Sequence, residues 1–263
     1  MNTNLNSPER YARNHVKARL KRGESVVAFG LTSASVGVAQ VLAGSGADLL
    51  IIDMEHSCID LASVQALLAA DLGSRCTCIV RLPAHMPSII KPVLDAGAMG
   101  LTFPMINDAA ELADVIALSK FHPDGRRAVG PHTAPARWGV STAQYLREAN
   151  DSLLFNTLIE TEQAVNEIES IVRVEGIDIV TVGLGDLAAS LGKPGEVDHP
   201  LVQEAVAHVE ETVRTSAVAL GGIAGSPKEI TDRLNRGYRV IVLGFDVSVL
   251  ARAAAELVKL CQP

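Results

Sequence analysis

The sequence predicts an α/β fold in which eight parallel strands, each followed by a helix, close into a (β/α)8 TIM barrel. Three observations lead there. Short apolar runs alternate with helical patterns eight times along 263 residues, an ordinary length for that architecture. Hydrophobic residues make up 48% of the chain but aromatics only 3%, so the core must be Val, Ile, Leu and Ala, the usual filling of a parallel sheet. The competing doubly wound sheet would want a glycine-rich fingerprint after its first strand, and Thr32-Ser33-Ala34-Ser35 is not one. No internal repeat, low-complexity tract or linker marks a boundary. Residues 1–263 therefore read as one barrel domain, with residues 1–23 as an N-terminal helical extension.

The elements follow in order. Residues 7–23 read as a lead-in helix, with Ser7 as N-cap, Pro8 at its first position and Gly23 past its end. Strands are expected at 26–32, 48–56, 76–82, 100–105, 153–160, 178–184, 218–223 and 239–245, each an apolar run rich in β-branched residues. Helices are expected between them at 33–43, 60–72, 88–96, 107–120 with Asn107 as cap, 142–150, 161–172, 200–215, 227–235 and 247–260. The stretch 60–72 carries an apolar stripe at Leu61, Val64, Leu67 and Leu68. Residues 122–140, rich in Gly, Pro, Arg and His, read as an irregular loop, and a loop that long inside a compact domain is usually functional or mobile. Within it, His132, Arg137 and Trp138 are candidates for closing a site or meeting a neighbouring subunit, with solvent exposure an equal alternative.

Composition narrows the partners. The formal charge is −7 and no block of basic residues stands out, so nothing suggests a nucleic acid. The polar N-terminus lacks the apolar core of a signal peptide, and no apolar run reaches a membrane span. Cys58, Cys76, Cys78 and Cys261 have no CxxC spacing, and Cys76 and Cys78 would share one face of a strand. All four read as reduced thiols of a cytoplasmic protein. His15, His85, His122, His199 and His208 read as surface histidines.

Leu49-Leu50-Ile51-Ile52 runs directly into Asp53-Met54-Glu55-His56, so two acids and an imidazole arrive together at a strand's carboxyl end. In a barrel that end carries the chemistry. The third strand delivers Arg81 to the same rim, the fifth Glu160, and the sixth Asp186 just beyond its last residue. Two carboxylates from neighbouring strands suit a hard cation such as Mg²⁺ or Mn²⁺, which keeps waters and takes oxygens from a substrate. The plainer reading makes both acids helix N-terminal caps. His56 titrates near neutrality and is a natural general base, or else a satisfied rim histidine. Arg81 is a permanent positive charge. A place facing substrate is preferred for it over a salt bridge to Asp53 or Glu55. Asp53 and Glu55 would hold a metal water or orient neighbours, or form a structural ion pair. No lysine stands at a strand end, which argues against Schiff-base chemistry.

These residues sit in a longer pattern. Asp53-Met54-Glu55-His56, Val80-Arg81, Ile159-Glu160-Thr161 and Gly183-Leu184-Gly185-Asp186-Leu187-Ala188-Ala189-Ser190-Leu191-Gly192 resemble the HpcH/HpaI aldolases. Ile90-Lys91-Pro92-Val93-Leu94-Asp95-Ala96-Gly97 supports the likeness, which runs from about Arg19 to the C-terminus. The resemblance implies a class II aldolase that reversibly cleaves a 4-hydroxy-2-oxo acid to pyruvate, or a pyruvate-like acid, and an aldehyde. It implies Glu160 and Asp186 as ligands of a divalent metal (Mg²⁺ or Mn²⁺, with Co²⁺ a third candidate), His56 as proton acceptor and Arg81 as the group that stabilises the enolate. It further implies that Asp95 raises the basicity of His56, that the backbone of Gly185, where relatives often have Ala, touches substrate along with Asp186 and Arg81, and that the C-terminal helix is swapped between subunits of a hexamer, a trimer of dimers. One departure is Leu158, where a relative has a substrate-contacting Gln. Two alternatives share the same residues: another C–C lyase or decarboxylase, and a non-catalytic metabolite-binding barrel.

Overall fold

The structure is a computed structural model that describes residues 14–70 and 74–261. Eight parallel strands pair in sequence order and β8 returns to β1, closing the barrel. They are β1 (Val26–Leu31), β2 (Leu49–Asp53), β3 (Thr77–Arg81), β4 (Gly100–Phe103), β5 (Leu154–Ile159), β6 (Ile179–Val182), β7 (Ala219–Ile223) and β8 (Val240–Phe245). The TIM-barrel expectation is met. Thirteen helices accompany them among the described residues: α1 (His15–Lys21), α2 (Val36–Gly44), α3 (Leu61–Ala70), α4 (Pro87–Asp95), α5 (Ala109–Ser119), α6 (Thr133–Trp138), α7 (Thr142–Ser152), α8 (Glu162–Asn166), α9 (Ile168–Ile171), α10 (Leu184–Ser190), α11 (Pro200–Arg214), α12 (Pro227–Asn235) and α13 (Asp246–Leu260). Among the described residues no helix is long and apolar enough to cross a membrane.

Alternation along the strands makes two cores. Side chains pointing outward meet the helices, where Leu50, Ile52, Cys76, Cys78 and Val80 pack together, so Cys76 and Cys78 do share a face. Side chains pointing inward fill the barrel: Val26 and Ala28, Leu49, Ile79, Leu154, Ile179, Val240 and Val242. Val16 and Leu20 of α1 join that inner core. Lys17 Nζ, from the same helix, donates to the carbonyl of Leu153 (2.6 Å) and pairs with Asp178 (3.0 Å). The lead-in helix is therefore a plug at the barrel's amino-terminal end. Its N-cap is Asn14, whose side chain accepts from Lys17 N–H; the expected cap at Ser7 and Pro8 lies outside the described residues.

Several boundaries differ for local reasons. β2 stops at Asp53, not His56, because the Asp53 carboxylate accepts from the backbone N–H of Glu55 (3.0 Å) and His56 (3.3 Å) and folds the chain over. Asp108, not Asn107, caps α5, with its side chain on Glu111 N–H. Asn107 instead accepts from the Thr161 hydroxyl (2.8 Å). The helix expected at 161–172 divides into α8 and α9 at Glu167. The 122–140 segment is not irregular throughout. It contains α6, and Trp138 is buried, its indole N–H on the carbonyl of Gly97 (3.2 Å). Arg127 is also buried there, lying over the Phe121 ring (4.3 Å) and donating to Asp95 (2.5 Å). Both side chains staple the segment to the end of α4, so Trp138 serves packing, not site closure.

Candidate active site

The register sets the rim. Asp53 of β2 and Arg81 of β3 are directly paired. Each follows, by strand alternation, inward-facing residues of the inner core: Leu49 before Asp53 and Ile79 before Arg81. Both side chains thus point into the barrel mouth. Arg81 Nε and Nη2 donate to the two oxygens of Asp53, at 2.8 and 2.5 Å, in a bidentate fork. Arg81 Nη1 lies 3.2 Å from Glu55 Oε2, and its guanidinium carbon is 5.9 Å from the centre of the Phe245 ring. The salt bridge set aside in favour of a substrate contact is therefore present. It fixes the plane of the guanidinium without removing its charge from the mouth.

Burial works to raise the Asp53 carboxyl, but the bonds from Arg81 outweigh it and hold the group below the ordinary carboxylate range. Glu55 goes the other way: desolvation dominates and raises it, against the pull of Arg81 and His56. Its Oε2 is buried and, though near Arg81 and 3.7 Å from His56 Nε2, has no hydrogen bond in proper geometry. His56 projects from the turn after β2 with its side chain 62% exposed.

Glu160 follows β5 and is buried. Its Oε2 accepts from the backbone N–H of Met105 at 2.9 Å. Met105 has φ +53°, a left-handed conformation that costs a non-glycine residue roughly 1–3 kcal/mol and clusters at functional sites. On the other side Gly183 is required: a Cβ there would stand 2.5 Å from Glu160 Cγ. Burial pushes the Glu160 carboxyl up to about 7; the Met105 bond opposes this, while the negative charges of Glu55 and Asp186 add to it. Asp186 lies, exposed, in the first turn of α10, a short helix outside the eight strand–helix units, where the plainer reading of it as a helix N-terminal acid places it. Gly185 precedes it in open space, so the Ala of relatives would fit without a clash. Among the described residues no three His, Cys, Asp or Glu side chains converge at metal-binding distance.

Asp95 is not brought to His56 within this chain. It sits at the end of α4 and is engaged by Arg127, a cation held in place by aromatic packing. His85 is not a plain surface residue: burial lowers it against the bond it makes to the Pro104 carbonyl, and its ring meets Phe103 edge-on at 6.2 Å. Beneath the rim lies a polar layer with no signature in the chain: Thr181 donates to Asn156 (3.0 Å), which donates to Thr102 (3.2 Å). Met105 and Phe245 are further rim residues absent from the sequence reading. The pairs of glycines and apolar residues at 244–245 and 30–31 are the only hint of the second.

A (β/α)8 barrel carrying paired carboxylates and a clamped arginine at its carboxyl-terminal rim belongs to the class of barrel enzymes. Comparison narrows this. The model of the HpcH/HpaI aldolase/citrate lyase family matches residues 26–253, and the chain belongs to that family. It is 37% identical over 93% of its length, and 94% of the relative's, to a 4-hydroxy-2-oxovalerate aldolase of Rhodococcus jostii. It is 33% identical, over 92% of its length and 95% of the relative's, to a hydroxypyruvate/pyruvate aldolase of Roseovarius nubinhibens. A crystal structure of an HpcH/HpaI aldolase/citrate lyase family protein from Burkholderia cenocepacia superposes with a TM-score of 0.89 at 34% identity, covering 95% of this chain and all of that one.

Proposed function

We propose that this chain is a class II aldolase that reversibly cleaves a 4-hydroxy-2-oxo acid into pyruvate, or a pyruvate-like 2-oxo acid, and an aldehyde. Its relatives are named as aldolases of this kind. The observation that carries the site is the Glu160 carboxyl. A buried acid pushed up to about 7 by desolvation and by two carboxylate neighbours is only partly offset by the charge of Arg81, which is forked onto Asp53, and a divalent cation would supply the remaining countercharge. Glu160 and Asp186 would hold it. Two oxygen ligands with no imidazole or thiol beside them suit Mg²⁺, Mn²⁺ or Co²⁺ and leave sites for substrate oxygens. Bound there, the cation supplies Lewis acidity that makes the C3 proton of a 2-oxo acid removable.

The chain's own residues do the rest. Arg81, its guanidinium oriented by the Asp53 fork, places a fixed positive charge where negative charge grows on the keto oxygen during bond cleavage. Glu55 Oε2, buried and without a hydrogen bond, is an acceptor for a donor in the mouth, and it keeps His56 close. His56, exposed on the turn after β2, takes the proton from the C4 hydroxyl as the C3–C4 bond breaks. The bond's electron pair passes toward the keto oxygen, C3 then takes up a proton to complete pyruvate, and the steps run backward in synthesis. The backbone at Gly185 and the side chain of Asp186 border the donor acid. Leu158 gives an apolar wall where a relative has Gln.

The same reading places the enzyme in the cytoplasm, consistent with four cysteines present as thiols. It also makes the enzyme a hexamer with α13 exchanged between subunits. In the single chain α13 is exposed along its length, Leu250 by 71% and Leu257 by 65%, which is costly for a helix with no covering partner. The test is pyruvate release from 4-hydroxy-2-oxo acids. Release that stops with EDTA and returns with Mn²⁺ is expected; release indifferent to chelation would overturn the metal assignment.

A further inference from the structure

Resting on that aldolase reading, we propose that Phe245 is a specificity-determining residue: its ring forms the apolar wall of the mouth facing the metal-ligand side and limits the size of the aldehyde. Its position runs against the strand's own rhythm. Along β8, Val240 and Val242 belong to the core inside the barrel, while Ile241 and Leu243 belong to the layer outside it. Alternation therefore sends Phe245 outward with Ile241 and Leu243. The pairing of β1 with β8 shifts between Ala28 and Gly30, and Gly244 adopts φ +135°, a conformation open essentially to glycine. The bulge turns the next side chain the other way.

Gly30 locates the ring. Position 30 continues the inward series of Val26 and Ala28, so a side chain there would point into the barrel. A Cβ on Gly30 would stand 2.3 Å from a ring carbon of Phe245. The ring thus occupies the interior space that residue 30 leaves empty, in the same layer as Arg81, whose guanidinium carbon is 5.9 Å from its centre. In an eight-stranded closed barrel β1 lies diametrically across from β5. Phe245 ends β8, whose opposite strand is β4, and its ring leans toward β1, whose opposite is β5. The ring therefore stands on the far side of the mouth from Glu160, which follows β5, while Arg81 is near the ring and feels the Glu160 charge. A 2-oxo acid held on the Glu160 side turns its reacting carbon toward this wall, and the aldehyde fits between the two. The ring is half-buried and presents no polar atom to the mouth, which favours a short aliphatic aldehyde over a long one.

The test measures aldol addition of pyruvate to propanal and to hexanal with the Mn²⁺-loaded protein and takes the ratio of the two kcat/KM values. Phe245→Ala should raise the hexanal-to-propanal ratio by roughly tenfold or more, and Phe245→Leu, which stays apolar should the alanine variant not fold, by less. Because residue 30 and the ring compete for one space, Gly30→Ala should lower the melting temperature of the parent and be tolerated in the Phe245→Ala background. Exchange of pyruvate methyl protons in D₂O by the parent protein separates the two levels. Exchange with a ratio unchanged within about twofold in both Phe245 variants overturns the role of Phe245 alone. No exchange by the parent overturns the aldolase reading and this inference with it.

Discussion

Glu160→Gln should make the metal-free protein more stable while disabling it. The substitution keeps the shape and an oxygen for the Met105 N–H, and removes a buried charge. A carboxyl raised from 4.5 to about 7 by folding is ionised at a cost of about 3 kcal/mol above pH 7. The sign is set by the direction of the shift. The unfolded chain releases this proton at lower pH than the folded one, so stability is full below pH 4.5 and falls as pH rises through the window up to about 7. In EDTA at about pH 8 the variant should therefore melt roughly 5–10 °C above the parent, and that gap should close near pH 4.5. Mn²⁺ should raise the parent's melting temperature and not the variant's, by mass action on a site that exists only in the folded state. The assay is thermal denaturation across pH, with and without metal, beside pyruvate release. A gap independent of pH, or a variant that still gains stability from Mn²⁺, would refute the reasoning.

Three other outcomes follow from the geometry. Arg81→Lys keeps the charge but cannot span both oxygens of Asp53, so kcat/KM for aldol cleavage should fall by roughly a hundredfold with little change in melting temperature; an active variant would mean that the planar fork is dispensable. Lys17→Met removes the plug's partner for Asp178, just before β6, where burial already raises the Asp178 carboxyl and lowers the Lys17 amine; urea denaturation should show a loss of about 3–5 kcal/mol, and an unchanged midpoint would remove the plug's role. Leu250→Glu with Leu257→Glu should reduce the mass seen by sedimentation, since both lie on the exposed α13; an unchanged mass would show that the helix is not an interface.

The strands and the barrel were legible because apolar β-branched runs need no tertiary information to be recognised. The helix Pro227–Asn235 was equally plain, with Ser226 and Glu229 forming a capping box around Pro227. The rim positions of Asp53, Arg81 and Glu160 follow from the same runs, since each stands at a strand's carboxyl end. What each side chain meets there does not follow. The choice of Arg81 between substrate and Asp53 depends on the register of β2 against β3, and the chain does not encode that register locally. Asp95 pairs with Arg127, 32 residues on, through a segment whose composition reads as loop. The bounds of α10 are obscured because Gly183 and Gly185 flank its start, though Asp186 in its first turn fits a helix N-terminal acid. Phe245 turns inward on a single bulge, which inverts the face predicted by period two.

The most direct measurement is a crystal structure of the protein grown with Mn²⁺ and pyruvate. The expected result is one cation with oxygens of Glu160 and Asp186 about 2.1–2.2 Å away, its remaining positions filled by water and pyruvate, and the Arg81 guanidinium beside the keto oxygen. A cation held elsewhere, with Glu160 still bonded only to Met105, would contradict the assignment of the site.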